Sequence, residues 1–138
     1  MFFNKKKKNE NDGFNLVKIA ALLIHAAKID EKYSIEEEEI IKRTLLDLGT
    51  DKNELETIIK KAKQSEENTH QILDFTREIK NLQEKDKIKI IKSLWRIIYS
   101  NKDADIYETN LMRRLSGLLY IDSKTMGYIK EQIKKENL

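Results

Sequence analysis

The feature that most constrains this chain is that it repeats itself. The stretch Ala20–Leu48, AALLIHAAKIDEKYSIEEEEIIKRTLLDL, returns at an offset of 71 positions: Leu23 falls on Leu94, Ala27 on Ile98, Asp30 on Asn101, Ser34 on Asp105 and Glu37 on Glu108, and beyond the stretch Asp51 falls on Asp122. Each copy reads as an apolar helix, an acidic turn and a second helix, because its apolar residues recur at the three- and four-residue spacing that places them on one helical face. Such a unit leaves an apolar face open unless another element covers it. The pattern therefore predicts one compact all-α domain built from two pseudo-repeated three-helix halves.

The residues the chain lacks support that class. With no proline, no cysteine and only four glycines in 138 residues, it reads as helices joined by short polar turns, without disulfides or thiolate metal sites. A chain of this size buries roughly 65–70% of the surface its unfolded form exposes, so no covalent staple is needed.

Charge narrows the function classes. The net charge is +3, but Met1–Asp12 carries four lysines against Glu10 and Asp12, so most of the excess belongs to the terminus. Residues 1–12 lack the apolar core of a secretory signal and predict a disordered Lys-rich tail, leaving 13–138 as the folded domain. Lys5–Lys8 offer weak peripheral contact with anionic membranes. Asp30–Glu39 moves the other way, with six acids against one lysine. That patch repels phosphate backbones and attracts cations, so strong nucleic-acid binding by the domain is not expected.

Taken in order, Phe14–Ile29 is apolar round most of its circumference and predicts a central helix. Its lone His25 reads as a satisfied or edge residue rather than a metal ligand. Ser34-Ile35-Glu36-Glu37 is a capping box that starts the next helix, and Gly49 suits the left-handed position that ends it. Asp51-Lys52-Asn53-Glu54 has the form of a second capping box, opening a helix with Leu55, Ile58, Ile59 and Ala62 inward before a polar loop at Gln64–Asn68. Thr69–Leu82 predicts a helix with no counterpart in the repeat, bridging the halves. Asp86–Ser100 is a second helix apolar on more than one face, with Trp95 a core residue. Asp105 caps a sixth helix ending at Leu119, and Asp122 caps a seventh with Met126, Ile129 and Ile133 inward.

In each half an acidic or amide side chain ending a central helix precedes, by seven residues, a Glu at the third position of the next helix. These pairs are Asp30 with Glu37 and Asn101 with Glu108. Packed antiparallel, the two helices bring both side chains to one turn, together with the carbonyls freed at the first helix's end. Carboxylates and carbonyls suit hard cations, so Asp30, Glu37, Asn101 and Glu108 are the candidate metal ligands, for Ca²⁺ or Mg²⁺ bound weakly. The competing reading is that Glu37 and Glu108 only cap helices. No Ser or Cys nucleophile constellation, phosphate-binding Gly loop or His-rich metal motif is present, so catalysis is not expected.

The order AALLIHAAKID…E…II…LG, followed by LWRIIYSNKDADIYETNLMRRLSGLLYI, resembles the TerB-like family, associated with tellurite resistance and related bacterial stress responses. Members carry two motifs in which Ala-x-Ala-Asp-Gly leads to a Glu seven residues after the Asp, the second often continuing as Tyr-Glu-x-x-Leu-Met-Arg-Arg. Tyr107 to Leu115 is the most specific match, and the likeness runs from about Phe14 to Ile133. It implies a domain of about seven helices, one for each helical stretch above. It also implies no catalysis, a cytoplasmic location at times near the inner membrane, and a divalent cation at the acidic motifs; a protein partner at the same acidic turns is the alternative to the cation. Carried over by position, the motif carboxylates are Asp30, Glu37 and Glu108. The chain departs from the pattern at Glu31 and Lys102, which replace the glycines, and at Asn101, which replaces the second Asp. Asn101 and Lys102 weaken the second site. An alternative role is a membrane-surface or nucleic-acid adaptor using the basic tail.

Overall fold

The computed structural model describes residues 16–30, 33–69, 71–100 and 106–136, with the backbone alone at Asp30 and at 106–108. Seven α-helices make up the described residues: α1 (16–27), α2 (Ile35–Asp47), α3 (Leu55–Asn68), α4 (Leu73–Ile79), α5 (Glu84–Tyr99), α6 (Ile106–Leu118) and α7 (Ser123–Glu136). The fold is all-α, as expected. The Lys-rich tail, Phe14, Lys102 and the cap at Asp105 lie outside the described residues.

The two helices read as apolar on more than one face are buried on more than one face, while Lys85 and Lys89 keep one side of α5 exposed. On α1, Ile19 through Ile24 are all buried, as are Ala26 and Ala27, and on α5 so are Ile90, Ile91, Leu94, Trp95, Ile97 and Ile98. One contiguous cluster of buried side chains contains both sets. α2 and α7 both pack against α5, α3 lies against α2, and α4 against α6. A hydroxyl pair joins α2 to α5 inside this core, with Thr44 Oγ1 2.7 Å from Ser93 Oγ. Buried hydroxyls need such partners, since an unmade bond there costs about 1–3 kcal/mol. Helix α4 contacts α1 and α6: the Phe75 ring of α4 lies 6.1 Å from that of His25 of α1, and α4 packs on α6.

The helix ends follow local chemistry. α2 closes in a Schellman motif, with Thr50 N–H donating to the Leu45 carbonyl and Gly49 N–H to that of Leu46 (both 3.0 Å), and Gly49 at φ +105°. α6 closes the same way through Ile121 N–H to Ser116 and Tyr120 N–H to Gly117, but there the residue at positive φ is Tyr120, at +58°. Asp122 caps α7 as expected, its Oδ1 accepting from Thr125 N–H at 2.7 Å.

Three expectations need correction. Asp51 makes no side-chain cap; its carbonyl accepts from Glu54 N–H, and a 3₁₀ turn at Lys52–Glu54 leads into α3. The loop expected at Gln64–Asn68 is the last part of α3, where Glu66 pairs at 3.0 Å with Lys28 of a 3₁₀ turn, Lys28–Asp30, that follows α1. The bridging helix is shorter than Thr69–Leu82: Thr69 ends α3, and residues 80–82 unwind into turns in which Lys80 N–H reaches Thr76 and Leu82 N–H reaches Ile79.

Candidate functional site

The first acidic turn is built by two helix ends. α1 passes into a 3₁₀ turn, Lys28–Asp30, whose last residue is the first candidate ligand. α2 then opens at Ser34, which has extended backbone (φ −86°, ψ 163°) because a cap must leave the helical region to turn its side chain back. The capping box is complete: Glu37 N–H donates to Ser34 Oγ at 3.1 Å, and Ser34 N–H donates to Glu37 Oε1 at 2.8 Å. This places the Glu37 carboxylate inside the protein, only 1% exposed. A buried carboxylate is costly unless hydrogen bonds or positive charge compensate it.

Around that turn Glu38 and Glu66 are tied into charge networks. Glu38 accepts from Tyr33 Oη at 3.2 Å and pairs with Lys63 of α3 at 3.1 Å and with Lys42 at 3.8 Å, while Lys42 reaches Glu56 at 2.9 Å. Burial works to raise the Glu38 pKa, but Lys63, Tyr33 and Lys42 together hold it below the usual value. Tyr33 responds in the opposite sense: burial and the adjacent Glu38 push its phenol well above the ordinary tyrosine range. On the other flank Glu66 pairs with Lys28 and lies 3.6 Å from His25 Nδ1. His25 thus belongs to a charged edge between α1 and α3.

The structure bears on the four candidate ligands unevenly. It places Glu37 fully and the backbone of Asp30. The side chains of Asp30 and Glu108, and all of Asn101, lie outside the described residues. Among the described residues no three His, Cys, Asp or Glu side chains gather as a metal cage.

Sequence reasoning did not foresee Lys87. It is buried, and its ammonium donates to the Leu119 carbonyl at 2.9 Å, closing the C-terminal end of α6 from a helix 32 residues earlier. Its position on the inward stripe of α5 was the available signal.

A protein-family model described as tellurite resistance protein TerB matches residues 16–131, from the first residue of α1 to near the end of α7. The chain belongs to the TerB family. Neither the curated proteins nor the solved structures give a match. The TerB match spans both acidic turns, Asp30 to Glu37 and Asn101 to Glu108. Among the described residues of this TerB domain, no helix is long and apolar enough to cross a membrane.

Proposed function

We propose that this chain is a non-catalytic TerB module of the tellurite-resistance, stress-response type, working in the cytoplasm, whose first acidic turn takes a divalent cation and presents it to a protein partner. The observation that carries the reading is the buried Glu37 carboxylate, fixed by its capping box in the turn that Asp30 opens. Asp30 and Glu37 are the ligands from the first half, with Ca²⁺ or Mg²⁺ the fitting ions because only oxygen donors are on offer. Asn101 and Glu108 form the weaker second site, where an amide replaces a carboxylate and Lys102 adds repulsion. The family description supports the stress-response assignment.

Thermal unfolding with and without Ca²⁺ or Mg²⁺ tests the proposal. A cation at ten times its Kd stabilises the folded state by about 1.4 kcal/mol, a rise in Tm of roughly 3–6 °C. NMR shifts on titration should centre on residues 30–37. A flat melting response together with unmoved resonances there removes the cation and leaves a partner-only surface.

A further inference from the structure

A second candidate site lies where α5, α6 and α7 meet. Trp95 of α5, Met112 and Arg113 of α6, and Met126, Gly127 and Lys130 of α7 line a cleft of about 350 Å³. That volume sits at the small end of ligand-sized cavities. Its floor is apolar and aromatic, and among the described residues two cations but no Asp or Glu line it. Arg113 and Lys130 have no carboxylate within ion-pair distance among the described residues, and the Lys130 ammonium stands 5.4 Å from the centroid of the Trp95 ring.

Two further observations point to an occupant. Trp95 is 4% exposed, yet its indole Nε1–H has no acceptor among the described residues. Buried N–H groups are rarely left so, because the lost hydrogen bond to water is not replaced. Gly127 stands in the interior of α7, where glycine is the worst helix former after proline, and a Cβ built there meets nothing within 4 Å. No packing contact requires glycine at that position. Its lack of a side chain leaves the cleft open.

We propose that this cleft binds a small amphipathic monocarboxylate, with its apolar body on Trp95, Met112 and Met126 and its carboxylate between Arg113 and Lys130. The apolar floor selects against inorganic anions and the paired cations against neutral or cationic amphiphiles. Trp95 is the chain's one tryptophan, so its fluorescence reports occupancy directly.

The test titrates octanoate, with 1-octanol and octylammonium as charge controls, into the full chain, following Trp95 emission and calorimetry. Octanoate should bind saturably with Kd below about 10 mM, and each control at least about tenfold more weakly. Gly127→Leu, which fills the cleft with a good helix former, should abolish binding while leaving the unfolding midpoint unchanged or higher. The surface double variant Arg113→Gln with Lys130→Gln should weaken octanoate at least about tenfold without changing 1-octanol binding. No saturable binding, equal binding of octanoate and 1-octanol, or parental binding by either variant overturns the proposal.

Discussion

Truncating Leu94 tests whether the two most apolar helices are the centre of the fold. Leu94 is fully buried on α5, as is its offset mate Leu23 on α1. Leu→Ala removes three carbon atoms from a core with no exposed side to relax into. At about 0.8 kcal/mol for each methylene, the transfer term is roughly 2.4 kcal/mol. A residual cavity of some tens of Å³ adds about 1 kcal/mol at ~24 cal/mol per Å³, giving roughly 3–4 kcal/mol for either variant. With an unfolding entropy of about 2.1 cal/mol/K per residue, the 138-residue chain has a total near 290 cal/mol/K, so Tm falls by roughly 10–14 °C. Urea denaturation followed by far-UV circular dichroism measures the cost over the whole chain, with an unchanged m-value showing that the denatured state is not altered. Leu73→Ala is the control, since that side chain is 44% exposed on α4. A cost below about 1 kcal/mol for Leu94→Ala or Leu23→Ala, or a cost equal to the Leu73 control, refutes the central-helix arrangement.

Tyr120→Gly should raise stability by a few tenths to about 1 kcal/mol, because relief of the left-handed backbone outweighs the added freedom of the unfolded glycine; calorimetric Tm measures it, and a lower Tm refutes it. Asp122 is held below the ordinary aspartate pKa, chiefly by the Thr125 backbone N–H, so its contribution is full above the ordinary carboxylate range and is lost as pH falls through the depressed value. Asp122→Ala should therefore lower Tm at neutral pH, with the gap to the parent narrowing in strong acid; a pH-independent gap contradicts this. Asn101→Asp with Lys102→Gly should create or tighten Ca²⁺ or Mg²⁺ binding by calorimetry, and Glu108→Gln should then abolish it. A double variant that titrates like the parent makes the second turn a cap and nothing more.

What was legible in the sequence is what interactions over a few residues decide. The Ser34–Glu37 box, the Asp122 cap and the glycine at the end of α2 each involve groups three to five positions apart, and each stands where the sequence put it. Helices α1 and α5 were visible because burial on more than one face requires apolar residues on more than one face. Departures arise where a distant partner decides. The last turn of α3 has loop-like composition, but Glu66 is held from the end of α1. Asp51 has the cap pattern, yet a 3₁₀ entry turns its backbone carbonyl to that task. The Lys87 contact with Leu119 and the cleft over Trp95 each join helices far apart in the chain, and periodicity holds no information about such pairs. For the candidate ligands, the sequence supplied residue types and spacing, and the structure adds the burial of Glu37.

The Thr44–Ser93 hydroxyl pair and the packing of α2 on α5 also set an order of events during synthesis. The inner face of α2, with Ile41 and Leu45, is covered by a helix made some 40 residues later. α5 in turn must wait for α7, which is made later still and packs against it. A ribosome carrying only the first half therefore holds helices whose apolar faces have no cover, a species prone to association. The domain should therefore resist proteolysis only once α5 and α7 have been made, and fragments ending before α5 should be degraded rather than half-folded.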